Sequence, residues 1–195
     1  MTRFFTALAL CLATTPLHAA DLEVGITSAI GQVEVPGTST IIQRNQDTEA
    51  QIEGEFARTS RACPPFCIQP MTPAEGVTTI GELELLDMLQ DPEAVVVDSR
   101  VADWYRRGTI PGTINIPYTQ IVDHLGELGC EIDFDGWDCE NAKPVALFCN
   151  GSWCGQSPAA IRQMVGAGFP ADRIFYYRGG MQAWQMLGLT VTGGS

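Results

Sequence analysis

Two stretches of this chain are apolar without a break. Ala94-Val95-Val96-Val97 ends at Asp98, and Val145-Ala146-Leu147-Phe148 ends at Cys149. A strand with one face in water alternates apolar and polar residues, whereas a strand covered on both faces reads as a continuous run. Both stretches are therefore read as strands inside a sheet. Ile174 to Tyr177 reads as a third strand and Ile114-Asn115-Ile116 as a short fourth. Between these runs the period lengthens. Thr79 with Glu82 forms a capping box, Leu83, Leu86 and Leu89 recur at helical spacing, and Asp91-Pro92 ends the helix. Short helices are expected near Ala102 to Arg107, over Tyr118 to Leu125 and over Gly180 to Leu187. Ser157 as N-cap, with Pro158 in the first helical position, opens another whose core face carries Ile161, Met164 and Val165. Strands alternating with helices predict an α/β domain over residues 76–193, its mostly parallel central sheet flanked by helices. Sites in such sheets gather at the carboxyl ends of strands, which is where Cys149 stands.

The pattern is weaker before residue 76. Val33 to Val35 and Thr38 to Ile42 read as short strands around Pro36-Gly37, and Gln43 to Arg61 is polar. Residues 21–75 are expected to form an irregular N-terminal extension, too short and polar to bury a core alone. Residues 1–20 have another character: Arg3, an apolar run from Phe4 to Leu12, then small residues up to Ala19 and Ala20. That is the layout of a cleaved secretory signal peptide, and the run is short for a membrane span. The expectation is an exported, periplasmic protein with no stable membrane span once the signal is removed.

Charge narrows the function. Eleven Lys and Arg stand against 23 Asp and Glu, for a formal net charge of −12. Nucleic-acid binding wants a basic surface, so no nucleic-acid partner is expected. An anionic substrate would likewise gain nothing from the overall field and would depend on local donors.

Export changes the meaning of the cysteines. Beyond the leader stand Cys63, Cys67, Cys130, Cys139, Cys149 and Cys154. An even number in an oxidising compartment permits disulfides. Cys63 and Cys67 flank two prolines, and Cys130 and Cys139 bracket an acidic loop; both sets are disulfide candidates. The acidic loop has an Asp-Gly core but Ala142 where a calcium loop needs its glutamate, so no metal is expected. No cofactor is implied. Cys149 and Cys154 differ from the others. Cys149 ends a buried strand, and Asn150, Gly151, Ser152, Trp153, Cys154, Gly155 and Gln156 lead from it into a helix. Backbone N–H groups at a helix N-terminus favour an anion, and the thiolate is the reactive form of cysteine. Cys149 is thus the candidate nucleophile, Asn150 to Gln156 its anion-binding loop, and Cys154 a candidate resolving thiol. This reading requires the Cys149 sulfur to be ionised, reachable and surrounded by amides.

Three ordered motifs resemble rhodanese-like domains. They are Asp98-Ser99-Arg100 followed by Trp104-Tyr105, Gly108-Thr109-Ile110-Pro111-Gly112 and Asn115-Ile116-Pro117; the strand-end Cys149; and Arg178-Gly179-Gly180-Met181-Gln182-Ala183-Trp184 with Gly188 beyond. The resemblance covers residues 76 to 193. It implies sulfurtransferase chemistry, in which the cysteine takes a sulfane sulfur from a small donor such as thiosulfate, becomes a persulfide, and yields the sulfur to a thiol or other nucleophile. It also implies that Asp98 and Arg100 form the structural frame beneath the active loop. Two departures stand out. Many members have histidine where this chain has Thr109, and the usual loop is shorter and often basic. Here Asn150 to Gln156 holds no cation, so donor charge would fall to backbone amides or to Arg100 or Arg178. Persulfide, polysulfide and protein donors are as open as thiosulfate. Two other readings remain: a thiol–disulfide redox protein using Cys149 and Cys154, and a non-catalytic binding module. A cysteine phosphatase is disfavoured, because Gly155 occupies the place of its phosphate-binding arginine. Oligomeric state is left open.

Overall fold

Each central strand sends alternate residues to opposite faces, and both faces are covered. The computed structural model describes residues 22–134 and 136–194. The signal peptide expected over residues 1–20 lies outside the described residues. In chain order the elements are β1 (Gln32–Glu34), β2 (Ile41–Gln43), a 3₁₀ turn (Gly54–Ala57), β3 (Thr78–Ile80), α1 (Glu82–Gln90), β4 (Val95–Asp98), α2 (Ala102–Arg107) and β5 (Ile114–Asn115). A 3₁₀ segment (Ile121–Leu128), β6 (Glu131–Asp133), β7 (Gly136–Asp138), β8 (Val145–Phe148), α3 (Gln156–Gly166), β9 (Ile174–Tyr177) and α4 (Gly180–Met186) follow. Five strands form one sheet in the order β3-β9-β8-β4-β5, with every pairing parallel.

The continuous apolar runs follow from this two-sided burial. Val96, Ala146, Phe148 and Tyr177 face α1 and α4, where Leu85, Leu86, Met181 and Trp184 pack. Val97, Val145, Leu147, Ile174 and Tyr176 face the other layer, with Leu125, Ile161 and Met164. Burying one such side chain stabilises the fold by roughly 1.5–3 kcal/mol. The parallel order brings the carboxyl ends of β4, β8 and β9 side by side, which sets the loop after Cys149 against the turn after Asp98 and the start of α4.

Several expectations shift in detail. Thr78–Ile80 is an edge strand paired with β9, so Thr79 does not cap a helix. Helix α1 starts after Gly81, whose N–H donates to Glu84 Oε2 at 3.0 Å. Leu83 is 47% exposed, while Leu85, Leu86 and Leu89 are buried. Steps of three residues fall short of a full helical turn by roughly 60° each, so a stripe built on Leu83 drifts off the buried face. The segment expected as a helix over Tyr118 to Leu125 is instead a 3₁₀ run over Ile121–Leu128, burying Ile121, Leu125 and Leu128.

The N-terminal extension is more regular than its sequence suggests. Strands β1 and β2 pair antiparallel, and Val33, Val35, Ile42 and Phe56 join the core on the α1/α4 side. The segment alone could not bury these residues; the sheet domain supplies the other half of the cluster. Arg44 bridges to Leu189, and Thr190 exchanges hydrogen bonds with Gln43.

Both candidate disulfides are present, Cys63–Cys67 and Cys130–Cys139. The second closes the antiparallel β6–β7 hairpin, the acidic loop of the sequence. Among the described residues, no three His, Cys, Asp or Glu side chains converge as a metal site requires. Cys130 and Cys139 sit in the core cluster at the base of this hairpin. Replacing both by alanine should lower stability by about 2–3 kcal/mol through the freed unfolded chain, as read from urea denaturation midpoints.

Candidate functional site

The site is built on a buried ion pair. The Arg100 guanidinium donates to Asp98 through Nε (2.9 and 3.1 Å) and Nη2 (2.6 Å). Both residues are essentially excluded from water. Nη2 also donates to the Gly108 carbonyl at 2.6 Å, and Nη1 to Asn150 Oδ1 at 3.3 Å. Thr109 donates its hydroxyl to Asp98 Oδ2 at 2.7 Å. The frame therefore joins the end of β4, the turn from Gly108 and the first residue of the Cys149 loop. Arg100 is wholly engaged in this role. It does not stand ready to bind a substrate anion directly.

Cys149 follows β8 and lies beside the first turn of α3. The helix starts at Gln156 with Gly155 as its N-cap, so Ser157 is inside the first turn and does not cap it. Its hydroxyl is turned instead toward the thiol, donating to Cys149 Sγ at 3.0 Å. Cys154 lies in the same turn, closed by its own N–H donating to the Gly151 carbonyl at 2.9 Å. Both thiols are free and buried.

The two sulfurs divide the available donors unequally. The single Cys149 S–H has two acceptors in Cys154, the carbonyl at 3.2 Å and the sulfur. Burial first, and then the adjacent Cys154 thiol, push its pKa well up; the Ser157 hydroxyl and amide act in the opposite sense. Cys154 is lowered to about 7, foremost by the hydrogen bond from the Cys149 thiol. The N–H groups of Gln156 and Asn150 and the charge of Arg100 add to this, against the effect of burial. The pair thus holds its first negative charge on Cys154.

This corrects the picture of an open Cys149 thiolate ringed by loop amides. Cys149 is 2% exposed, its sulfur keeps a proton hydrogen-bonded to Cys154, and the loop amides of Asn150 and Gln156 serve Cys154.

A cover lies over the loop. Gln69 N–H donates to the Ser152 carbonyl at 2.8 Å, and Arg178 Nη2 donates to the Gln69 carbonyl at 3.0 Å. Trp153 donates through Nε1 to Gln182 Oε1 at 2.6 Å, meets Phe66 edge to face, and carries the Arg61 guanidinium 3.9 Å from its ring centroid. Arg178, the other cation expected to help an anion, is therefore tied to the N-terminal segment. The Cys63–Cys67 disulfide staples that segment next to Phe66.

The sequence reading named Cys149, Cys154, Asn150 to Gln156, Asp98 and Arg100, and the fold gathers all of them in one region. It missed Ser157 as a donor, Gln69 as part of the cover, and Gly180. Glycine at 180 has φ +55°, and an added β-carbon would collide with the Cys149 carbonyl oxygen and lie 2.7 Å from the Gly151 nitrogen. Met181 N–H donates to the Cys149 carbonyl and Gln182 N–H to that of Asn150, both at 3.0 Å. The signals were present as a hydroxyl in the first helical turn and a double glycine, but neither says which atom lies opposite.

A profile of the rhodanese-like domain family matches residues 82–187. An HTH-type transcriptional regulator of Mycobacterium tuberculosis is 33% identical over 116 residues, covering 60% of this chain and 45% of the regulator. A tRNA uridine(34) hydroxylase of Teredinibacter turnerae is 31% identical over 105 residues, 53% of this chain and 30% of the hydroxylase. The chain spans less than half the length of either protein. A thiosulfate sulfurtransferase from Pseudomonas aeruginosa is similar in structure over 61% of this chain and 21% of its own, with 25% identity and a TM-score of 0.46.

Three outcomes follow from this geometry. Thiolate absorbance should rise with a midpoint near pH 7 as Cys154 ionises. Cys149→Ala should move that midpoint upward, because the lost S–H donor had favoured the charged form. Gly180→Ala should destabilise the protein by about 2 kcal/mol or more, since it combines a left-handed backbone with a clash against the active loop; thermal unfolding of the variant measures this.

Proposed function

Because the chain belongs to the rhodanese-like domain family, whose profile spans more than half of it, we propose that it performs sulfurtransferase-type chemistry, carrying a sulfane sulfur on Cys149. The observation that carries the reading is the placement of this thiol at the carboxyl end of β8, with the Ser157 hydroxyl 3.0 Å from its sulfur at the start of α3. The Cys149 proton passes to the Cys154 thiolate or to solvent. The Cys149 thiolate then attacks the outer sulfur of a small sulfane donor. The donor's sulfur–sulfur bond breaks, its electron pair leaves with the departing group, and Cys149 holds a persulfide. An acceptor thiolate attacks the outer sulfur in turn and restores the Cys149 thiolate.

The surroundings favour an anionic donor on a local scale. The Tyr176 hydroxyl and Arg178 Nε are buried without hydrogen-bond partners among the described residues. Tyr176 lies opposite Leu147 in the β8–β9 register, two residues before Cys149, and its hydroxyl feels the charges of both thiols. Burial above all raises its pKa, so it stays a neutral donor. Entry of the donor requires the segment bearing Gln69 and Phe66 to move aside. The two disulfides support an oxidising compartment, and with it export to the periplasm, as part of the same proposal.

Incubation with sulfane donors such as thiosulfate or inorganic polysulfide, followed by intact-mass analysis, tests the reading. Cys154→Ser should gain sulfur at Cys149, and the wild-type chain should turn sulfane sulfur over in the presence of cyanide or a thiol. Cys149→Ser should do neither, and transfer surviving in that variant removes Cys149 from the mechanism. Ser157→Ala should slow sulfur uptake roughly tenfold or more, the effect of losing one hydrogen bond to a charged sulfur.

A further inference from the structure

We infer that Cys154 discharges the sulfur that Cys149 accepts: its thiolate attacks the inner sulfur of the Cys149 persulfide, forming a Cys149–Cys154 disulfide and releasing hydrosulfide. This inference rests on the sulfur-carrying role of Cys149 and extends it to a reductive, sulfide-releasing activity.

Four observations converge on Cys154. First, Cys63, Cys67, Cys130 and Cys139 are paired, whereas Cys149 and Cys154 are both free. Among the described residues the other four cysteines are oxidised, and these two remain available to each other. Second, the turn closed by the Cys154 N–H and the Gly151 carbonyl brings Cys154 back over the strand end, with its carbonyl 3.2 Å from Cys149 Sγ. Third, the donors that would stabilise a thiolate are arranged on Cys154. They are the N–H groups of Gln156 and Asn150, the nearby Arg100 charge, and the Asn150 side-chain amide at 4.0 Å. An attacking thiol with its pKa near the ambient pH is close to the optimum for exchange at sulfur. Fourth, the N-terminal segment covers the loop, so an internal thiol meets a Cys149 persulfide before an external acceptor does.

The step balances. Cys154 supplies a thiolate, the bond between the inner and outer persulfide sulfurs breaks, and the outer sulfur leaves as hydrosulfide with the bonding pair. The sulfane sulfur is reduced, and the two cysteine sulfurs are oxidised to a disulfide. Regeneration needs a dithiol reductant, whose first thiolate opens the Cys149–Cys154 bond and whose second closes its own disulfide, returning both cysteines to thiols. The net conversion takes a sulfane donor and a dithiol to hydrosulfide, the donor's leaving group and the oxidised dithiol. Ser157 assists both stages, because its hydroxyl faces the sulfur that becomes first the persulfide and then the leaving thiolate.

A single-turnover experiment without reductant tests this. The reduced pair is mixed with one equivalent of inorganic tetrasulfide, quenched with an alkylating agent, and analysed by intact mass, peptide mapping and a sulfide-trapping fluorophore. Wild type should release one hydrosulfide per chain beyond the background set by Cys149→Ser. It should also lose two hydrogens and yield Cys149 and Cys154 in one internally linked peptide. Cys154→Ser and Cys154→Ala should keep the added sulfur on Cys149 and release none above background; agreement between the two variants, with unchanged far-ultraviolet circular dichroism, excludes misfolding as the cause. Wild type holding its persulfide as long as these variants overturns the discharge step and leaves sulfur transfer standing. If no variant gains sulfur, the sulfur-carrying role fails and the discharge step with it.

Discussion

The buried Asp98–Arg100 pair fixes the geometry on which the site depends. Moving two charges out of water costs several kcal/mol per ion, and their attraction compensates only when the remaining donors and acceptors are satisfied. Here they are met by the Gly108 carbonyl, Asn150 Oδ1 and the Thr109 hydroxyl. These partners come from two loops at the carboxyl end of the sheet, the Gly108-Thr109 turn and the loop that begins at Asn150. The cost of burial thus sets the relative position of those loops, because any movement strands a charge. Asn150 is the contact that matters most for chemistry, since it begins the loop that holds both thiols.

A path runs from this frame to the reactive sulfurs. Arg100 orients Asn150, the Asn150 N–H and amide group face Cys154, and the residual field of Arg100 lowers the same thiol. A chain of net charge −12 offers an anion no help at long range. It provides instead one buried cation, screened on most sides by Asp98, whose remaining influence reaches a cysteine and not bulk solvent. Cys149 then differs from Cys154 mainly in what surrounds it. It has the carbonyl, the Ser157 hydroxyl and the burial, while Cys154 has the amides. Two identical side chains five positions apart acquire unequal acidity from burial, from their hydrogen bonds and from the charge of Arg100.

The sheet could be read from the sequence because two-sided burial leaves an unmistakable imprint. Val95 to Val97 and Val145 to Phe148 admit few other placements, and the cysteine at the end of the second run falls where parallel sheets gather their sites. The edge strand at Thr78–Ile80 could not be read so easily. Its residues are exposed or half-buried, and a threonine followed three residues later by glutamate imitates a helix start. Ser157 shows a related limit: a serine before a proline fits a cap, and only the position of Gly155 reveals that the helix begins earlier. The direction of the loop amides was beyond reach altogether. Whether a seven-residue turn aims its N–H groups at one sulfur or the other depends on its dihedral angles, which no residue type in Asn150 to Gln156 dictates.

The cover explains how a buried thiol remains compatible with chemistry. It is held by the Gln69–Ser152 and Arg178–Gln69 hydrogen bonds and by the Arg61 and Phe66 contacts with Trp153. A hydrogen bond of this kind contributes about 0.5–1.5 kcal/mol net, and a cation–π contact from a side chain as enclosed as Arg61 about 1–2 kcal/mol. Their sum is a few kcal/mol, which corresponds to an open population on the order of 0.1–10%. Such a cover excludes water and bulky thiols most of the time and still opens often enough to admit a small sulfur donor. In the proposed cycle the same closure would keep a persulfide next to Cys154 and exclude competing acceptors. Burial of Cys149, which counts against a freely exposed transferase thiol, thereby becomes the condition that would commit its sulfur to an internal partner.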